Sequence, residues 1–396
     1  MEDNLTAAHD SESGSGSEGG RMGTMKVGVI AAEMEGRATG VGRYLEGLLE
    51  GLELWEHGIE WHLFFQGDPP LSLDFQGGPI HAHYSRHHGS RVLWEQVLIT
   101  RELEAVEPDV VFGPAYTLPF GLRAPSVVTI HDISFEVLPE EFGLRERWRR
   151  RILARRAARV AQRVLAVSEH MAGLLRAQFG LAPGRVAVVP HGIDTKQFSP
   201  SPGPTDKTLL ADLEVRPPYL LWAGTVLERR LPLQVLEAFA AVKSERPELE
   251  LVIAGANRMR RPERLDMWIE QLGVEHAVRR LGWVEETALA PLYRGAELGI
   301  YVSRHEGYGL PPLECLGCGT PMVVSAGLGL DDSWPDYPFR VPELEAEGIA
   351  NVMMEILGNE DRTARVLEDM GTVIANLDWE QSSRQLVAEL ERAVAP

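Results

Sequence analysis

Cysteine, lysine and long apolar runs are all scarce in this 396-residue chain, and each shortage closes off a class of protein. Cysteine occurs only at positions 315 and 318, so no disulfide framework staples the fold. The pair forms a C-x-x-C, but a structural zinc site takes four ligands and no second pair exists. Two small side chains at i and i+3 on one helix face fit the spacing better. No stretch approaches the roughly 18 apolar residues of a membrane span, and the N-terminus has no basic-then-apolar leader. The cytoplasm is therefore the expected location. A net charge of −19 argues against nucleic acid as a partner. No Asp-x-Asp occurs anywhere, so a metal-bridged diphosphate would lack its usual carboxylates. No G-x-S-x-G or comparable signature marks an activated nucleophile either. Neither a metal nor another cofactor is expected.

Lysine is the other shortage: four lysines accompany 35 arginines, which reads as coding bias. Nine of those arginines lie between Arg145 and Arg163 with a single acid among them. Trp148, Ile152, Leu153 and Val160 recur there at helical spacing. Two readings stay open, a solvated helix face or a basic amphipathic face resting on anionic lipid or an anionic acceptor. The second would place the protein at the inner face of a membrane. His81, His83, His87 and His88 cluster in a Gly/Ser-containing stretch that reads as a loop, and we assign no metal ligands there.

Residues 1–24 are polar, acidic and Gly/Ser-rich, the composition of a disordered tail. The remainder of the chain is long enough for two domains, and 44% hydrophobic residues suffice for real cores. Apolar runs at Lys26–Ala31, Asp109–Phe112, Ser126–Ile130, Val164–Val167 and Val186–Val189 alternate with helical patterns. That alternation predicts an α/β fold with a parallel sheet covered on both faces. Ser199-Pro-Ser-Pro-Gly-Pro-Thr is a natural linker. Alternation then restarts with Tyr219–Ala223, Leu251–Ala254, Arg279–Leu281, Leu298–Val302 and Pro321–Val324. We expect one doubly wound domain over 25–200, a second over 206–376 and a terminal helix within 377–396. Ligand sites at the carboxyl ends of both sheets would then face a central cleft.

The densest motif is Glu306-Gly307-Tyr308-Gly309-Leu310-Pro311-Pro312-Leu313-Glu314. Two carboxylates bracket a glycine turn that enters a helix, where Pro311 and Pro312 suit the first turn. Amides near Gly309 and Leu310 would point at an anion such as phosphate. Glu314 falls in that first turn, and its oxygens suit the two hydroxyls of a ribose. Other candidates sit at strand ends. Thr39-Gly40-Val41-Gly42 opens a helix after the first strand, where glycines admit close backbone approach. His131-Asp132 follows the strand ending at Ile130; a His facing a cleft can donate to a sugar hydroxyl, and Asp132 either orients it or caps the next turn. Gly224-Thr225-Val226-Leu227-Glu228-Arg229-Arg230 brings two guanidiniums to a glycine turn, a pattern suited to diphosphate. Gly282-Trp283-Val284 ends a further strand, and Ser303 is a minor polar candidate.

In that order, these motifs resemble the retaining glycosyltransferases of family 4, which have the GT-B fold of two Rossmann-like domains. The resemblance covers nearly all of the chain from Met25 onward. It implies that Glu306 lies by the donor sugar and Glu314 binds the nucleotide's ribose, with Tyr308, Gly309 and Leu310 between them. Gly40 and Gly42 would meet the diphosphate and sugar, and His131 the sugar near its 6-hydroxyl. Arg229, Arg230 and Gly224 would serve the diphosphate, and Trp283 and Val284 would wall the nucleobase. Arg230 stands where the family has Lys. The resemblance also has the terminal helix cross back to the first domain, and implies hexose transfer from a nucleotide sugar donor to a glycan, lipid-linked or small-molecule acceptor without metal. The TIHDISF stretch and its neighbours look most like the mannosyltransferase branch, with GDP-mannose as donor. Residues 328–340 depart from the family's usual text. Two rivals remain, a GT-B glycoside phosphorylase and a non-catalytic nucleotide-sugar-binding protein.

Overall fold

The computed structural model describes residues 24–36, 40–55, 58–67, 78–87, 89–327 and 329–395. The expected tail up to residue 23, Thr39 and His88 lie outside them. Val/Ile/Leu-rich runs, buried on both faces, build two parallel sheets, as the alternation predicts. The first has the order β3-β2-β1-β4-β5-β6-β7, with β1 Met25–Ile30, β2 Ile59–Phe65, β3 Ile80–Tyr84, β4 Val110–Gly113, β5 Ser126–Ile130, β6 Arg163–Ala166 and β7 Val186–Val188. The second has the order β10-β9-β8-β11-β12-β13, with β8 Tyr219–Ala223, β9 Glu250–Ala254, β10 Val278–Gly282, β11 Leu298–Tyr301, β12 Met322–Ser325 and β13 Arg340–Val341. In each sheet the strand order reverses beside the first strand, between β1 and β4 and between β8 and β11. Ligands bind at such switch points in open α/β sheets.

Three strands were not anticipated. β2 alternates buried Ile59, Trp61 and Leu63 with Glu60 and His62, so it lacks the continuous apolar run of its neighbours. β3 holds His81 and His83 in regular pairing with β2, which corrects their reading as loop residues. β13 is two residues long, too short to show a period.

The helix Trp379–Val394 packs on the helix Gly40–Glu53 from the first domain. Glycines make that approach possible: a Cβ at Gly47 would collide with the Trp379 ring, and one at Gly51 with the Trp379 carbonyl. Ser383 Oγ donates to the Leu48 carbonyl at 2.7 Å. The basic helix spans Leu144–Val160 and buries Leu153, Ala154, Ala157 and Ala158. Leu144, Trp148, Ile152 and Val160 are left exposed, because the small alanines let this helix sit close to the sheet with its bulkier side chains outward. Among the described residues no helix is long and apolar enough to cross a membrane.

Candidate functional site

Residues following β5, β8 and β11 meet in one charged cluster between the two sheets. After β11 the chain runs through Ser303 and His305 to Glu306, which is buried. Glu306 Oε1 accepts from Arg230 Nε at 2.8 Å and from Ser303 Oγ at 3.3 Å, and Arg229 Nε lies 3.6 Å away. Burial alone would raise this carboxyl; Arg230 and then Arg229 overcome it and hold it below its ordinary value.

Arg230, expected to serve the diphosphate, is held by protein groups in this structure. Its Nη1 and Nη2 donate to the Thr225 carbonyl at 2.9 Å and to Tyr301 Oη at 2.7 Å, and its guanidinium lies over the Tyr301 ring at 4.6 Å. Three directed acceptors suit a planar fork rather than an ammonium, which accounts for Arg where the family has Lys. Gly224, at φ +111°, makes the room: a Cβ there would lie 2.6 Å from Arg230 Nη1. Arg229 is held differently. It faces Asp132 at 3.5 Å, Glu306 at 3.6 Å and Glu141 at 3.9 Å, and its Nε has no hydrogen-bond partner among the described residues. A guanidinium shared loosely among three carboxylates can turn to a closer anion.

On the opposite wall, Asp132 caps the turn after β5. It accepts from the Ser134 amide at 2.6 Å and from Ser134 Oγ at 2.9 Å, and its Oδ1 meets His305 Nε2 at 2.8 Å. Burial raises this carboxyl, but the hydrogen bond from His305 and the charge of Arg229 bring it down to about 2. Asp132 therefore caps and bridges; it does not orient His131.

His131, expected at the sugar, is also held by protein groups. Its Nε2 lies 2.7 Å from the Pro114 carbonyl and must donate there, which leaves Nδ1 as the acceptor facing His191 Nε2 at 3.3 Å. Burial lowers this imidazole to about 4, so it is neutral at pH 7. The N–H expected for a sugar hydroxyl is already spent on protein. Its carbonyl matters instead, because a Cβ at Gly307 would collide with it. Ser168 Oγ donates to the Gly307 carbonyl at 2.7 Å, and Tyr308 Oη donates to the His191 carbonyl at 2.8 Å. The two domains touch through this glycine loop.

Gly309, at φ +107°, caps the start of the helix Leu310–Gly317, so Glu314 lies just past the first turn in which it was expected. It is almost fully buried and ion-paired with Arg43 from the Gly40–Glu53 helix, while Tyr293 Oη donates to its Oε2 at 3.3 Å. Arg43 Nε also meets Glu286 at 2.9 Å. Burial raises the Glu314 carboxyl against the pull of Arg43. Both oxygens expected for ribose thus already hold protein partners. Arg43 was missed, though its place directly after Gly40-Val41-Gly42 was a readable signal. Gly42 is buried at that helix start and Gly40 is exposed. Trp283 is partly exposed beyond the Gly282 turn, and Val284 packs against the core. A cavity of about 260 Å³ lies beside Glu314, lined by Arg43, Glu50, Asp194, Glu286 and Leu310 among others.

Two family models match the chain, Glycosyltransferase Family 4 over residues 38–197 and Glycosyl transferases group 1 over residues 211–370. The chain belongs to the family-4 type of glycosyltransferases, with the GT-B fold. D-inositol 3-phosphate glycosyltransferase 2 of Catenulispora acidiphila is 31% identical over 180 residues, 43% of this chain and 41% of the relative. MMP alpha-(1->4)-mannosyltransferase of Mycolicibacterium hassiacum is 27% identical over 290 residues, 68% of this chain and 66% of the relative. The matches thus span 41% and 66% of these two relatives' lengths. The crystal structure of Anabaena HepE in complex with UDP and glucose has a TM-score of 0.71 at 18% identity, covering 93% of this chain and 99% of that one. At that identity the likeness is one of fold.

Proposed function

We propose that this protein moves a hexose from a nucleoside diphosphate sugar to an acceptor hydroxyl, retaining the anomeric configuration and needing no metal. One observation carries the reading: Glu306 is a buried carboxylate held ionised by Arg230, and beside it Arg229 is a cation shared at 3.5–3.9 Å among Asp132, Glu306 and Glu141, with its Nε unpartnered among the described residues. An anion and an available cation side by side suit a sugar that turns oxocarbenium-like while its diphosphate departs. Glu306 would face the sugar. Arg229 and the amides opening the helix at Leu310 would take the growing phosphate charge. The leaving phosphate takes the acceptor's proton, so the scheme requires no protein base.

The cavity of about 260 Å³ is smaller than the roughly 300–1,000 Å³ of small-molecule pockets. A donor reaching Glu306 would pass between the two domains, and their closing on it would exclude water. Mannose is the preferred donor group, supported by the mannosyltransferase relative, and GDP-mannose the preferred donor, by the TIHDISF resemblance. A glycan, lipid-linked or small-molecule hydroxyl would be the acceptor. The exposed stripe of Leu144, Trp148 and Ile152, with Arg145, Arg149 and Arg159 also exposed, suits an anionic lipid surface. Co-sedimentation with anionic vesicles should fall when Trp148 and Ile152 become Ser; unchanged binding would remove the membrane from the account.

The deciding experiment is thermal unfolding with GDP, UDP, ADP or TDP, each in chelator. A ligand at ~100 times its dissociation constant adds about 2.7 kcal/mol, roughly 2–4 °C for a domain of this size. A shift with GDP alone supports the full reading. A shift with another base alone keeps nucleotide-sugar transfer and overturns mannose from GDP-mannose. No shift with any of them overturns the donor site as described.

A further inference from the structure

The edge of the first sheet, separated from β5 by β1 and β4, carries a second cluster that the transfer reaction does not use. Parallel register places His62 opposite His81 and Phe64 opposite His83. Strand alternation puts Glu60 on that same face. One side-chain ligand atom from each of Glu60, His62 and His81 lies within 4.8 Å of the others.

His62 shows what the cluster lacks. Its Nδ1 lies 2.9 Å from His83 Nε2, and the His83 ring is fixed by stacking on Phe64 at 4.7 Å. If His62 Nδ1–H donates to His83, His62 Nε2 carries a bare lone pair. That Nε2 is buried, has no hydrogen-bond partner among the described residues, and faces Glu60 Oε2 at 3.9 Å. Two electron-rich atoms then meet with nothing positive between them. The His81 ring, stacked on His62 at 5.0 Å and open to solvent, completes the set.

We propose that Glu60, His62 and His81 bind one divalent transition-metal ion of the zinc class, with His83 as the positioning residue that holds His62 in the ligating tautomer. Two imidazoles and one carboxylate are a donor set zinc favours over magnesium or calcium, and His81's exposure leaves room for water as a further ligand. A second hydrogen bond fixing a ligating imidazole is the usual companion of such sites. The ion would clasp β3, the outermost strand of its sheet, onto β2.

The test uses the full chain without a histidine tag, stripped with chelator and titrated with Co²⁺, then competed with Zn²⁺. One equivalent should produce a visible absorption band, which Zn²⁺ abolishes. His81→Ala and Glu60→Gln change an exposed and a half-buried side chain and should lose the band while unfolding, metal-free, at the wild-type temperature. His83→Phe keeps the ring on Phe64 and should weaken binding roughly 10–100-fold. No stoichiometric binding, or wild-type affinity in both His81→Ala and Glu60→Gln, would overturn the proposal.

Discussion

Glu306 and Glu314 bracket one loop and are both buried, yet their surroundings push them in opposite directions. Glu306 is held below its ordinary value by two cations of its own domain, Arg230 and Arg229. Glu314 is raised by burial, and its cation, Arg43, comes from the other domain, with Glu286 adding like charge. The Glu306 end is therefore built before the domains meet. The Glu314 end, as seen here, exists only while they are together. A donor entering between the domains would find the first ready and would have to displace or share the second.

Breaking the Glu314 end should have the largest effect on stability. Arg43→Ala leaves a buried carboxylate unpaired and should cost about 3–5 kcal/mol in denaturant unfolding; a loss near zero would mean that Arg43 does not hold Glu314. Gly307→Ala tests the contact between the domains, because the new methyl would meet the His131 carbonyl. Turnover should fall on the order of 10²-fold through misplacement of the reacting groups, with nucleotide affinity kept. Unimpaired turnover would show that transfer does not need this approach.

The acid limb of the stability curve sharpens the comparison from the first domain's side. Asp132 sits at about 2 against an ordinary 3.8, so its contribution is complete above the ordinary value and fades as pH falls toward 2. Asp132→Asn should remove that step from stability measured against pH; an identical acid limb would contradict the bridge to His305 and Arg229. Smallest of all, Tyr308→Phe removes one hydrogen bond to His191 and should cost about 0.5–1.5 kcal/mol.

Legibility in the sequence tracks the range of the interactions. β5 and β8 were readable to the residue because their apolar runs are continuous and are bounded by Pro125 and His131 and by Pro218 and Gly224. β2 and β3 were not, because histidines and an acid interrupt them on one face. In the site, the Gly309 turn into its helix is a local feature and was readable from the glycine and the prolines that follow it. For His131 and Glu314 the protein partners were not readable. Pro114, His191 and Arg43 reach them from 17, 60 and 271 positions away, and such pairings depend on loop paths and domain docking that spacing does not express. The three acceptors around Arg230 were equally unreadable from its charge and its place in the motif.

One measurement bears most directly on the division between the two carboxylates: turnover and nucleotide affinity, side by side, for Glu306→Gln and Glu314→Gln. The account predicts that Glu306→Gln abolishes transfer and leaves nucleotide affinity near wild type, whereas Glu314→Gln weakens the nucleotide. Near wild-type turnover in Glu306→Gln would contradict the assignment of this carboxylate to the reacting sugar.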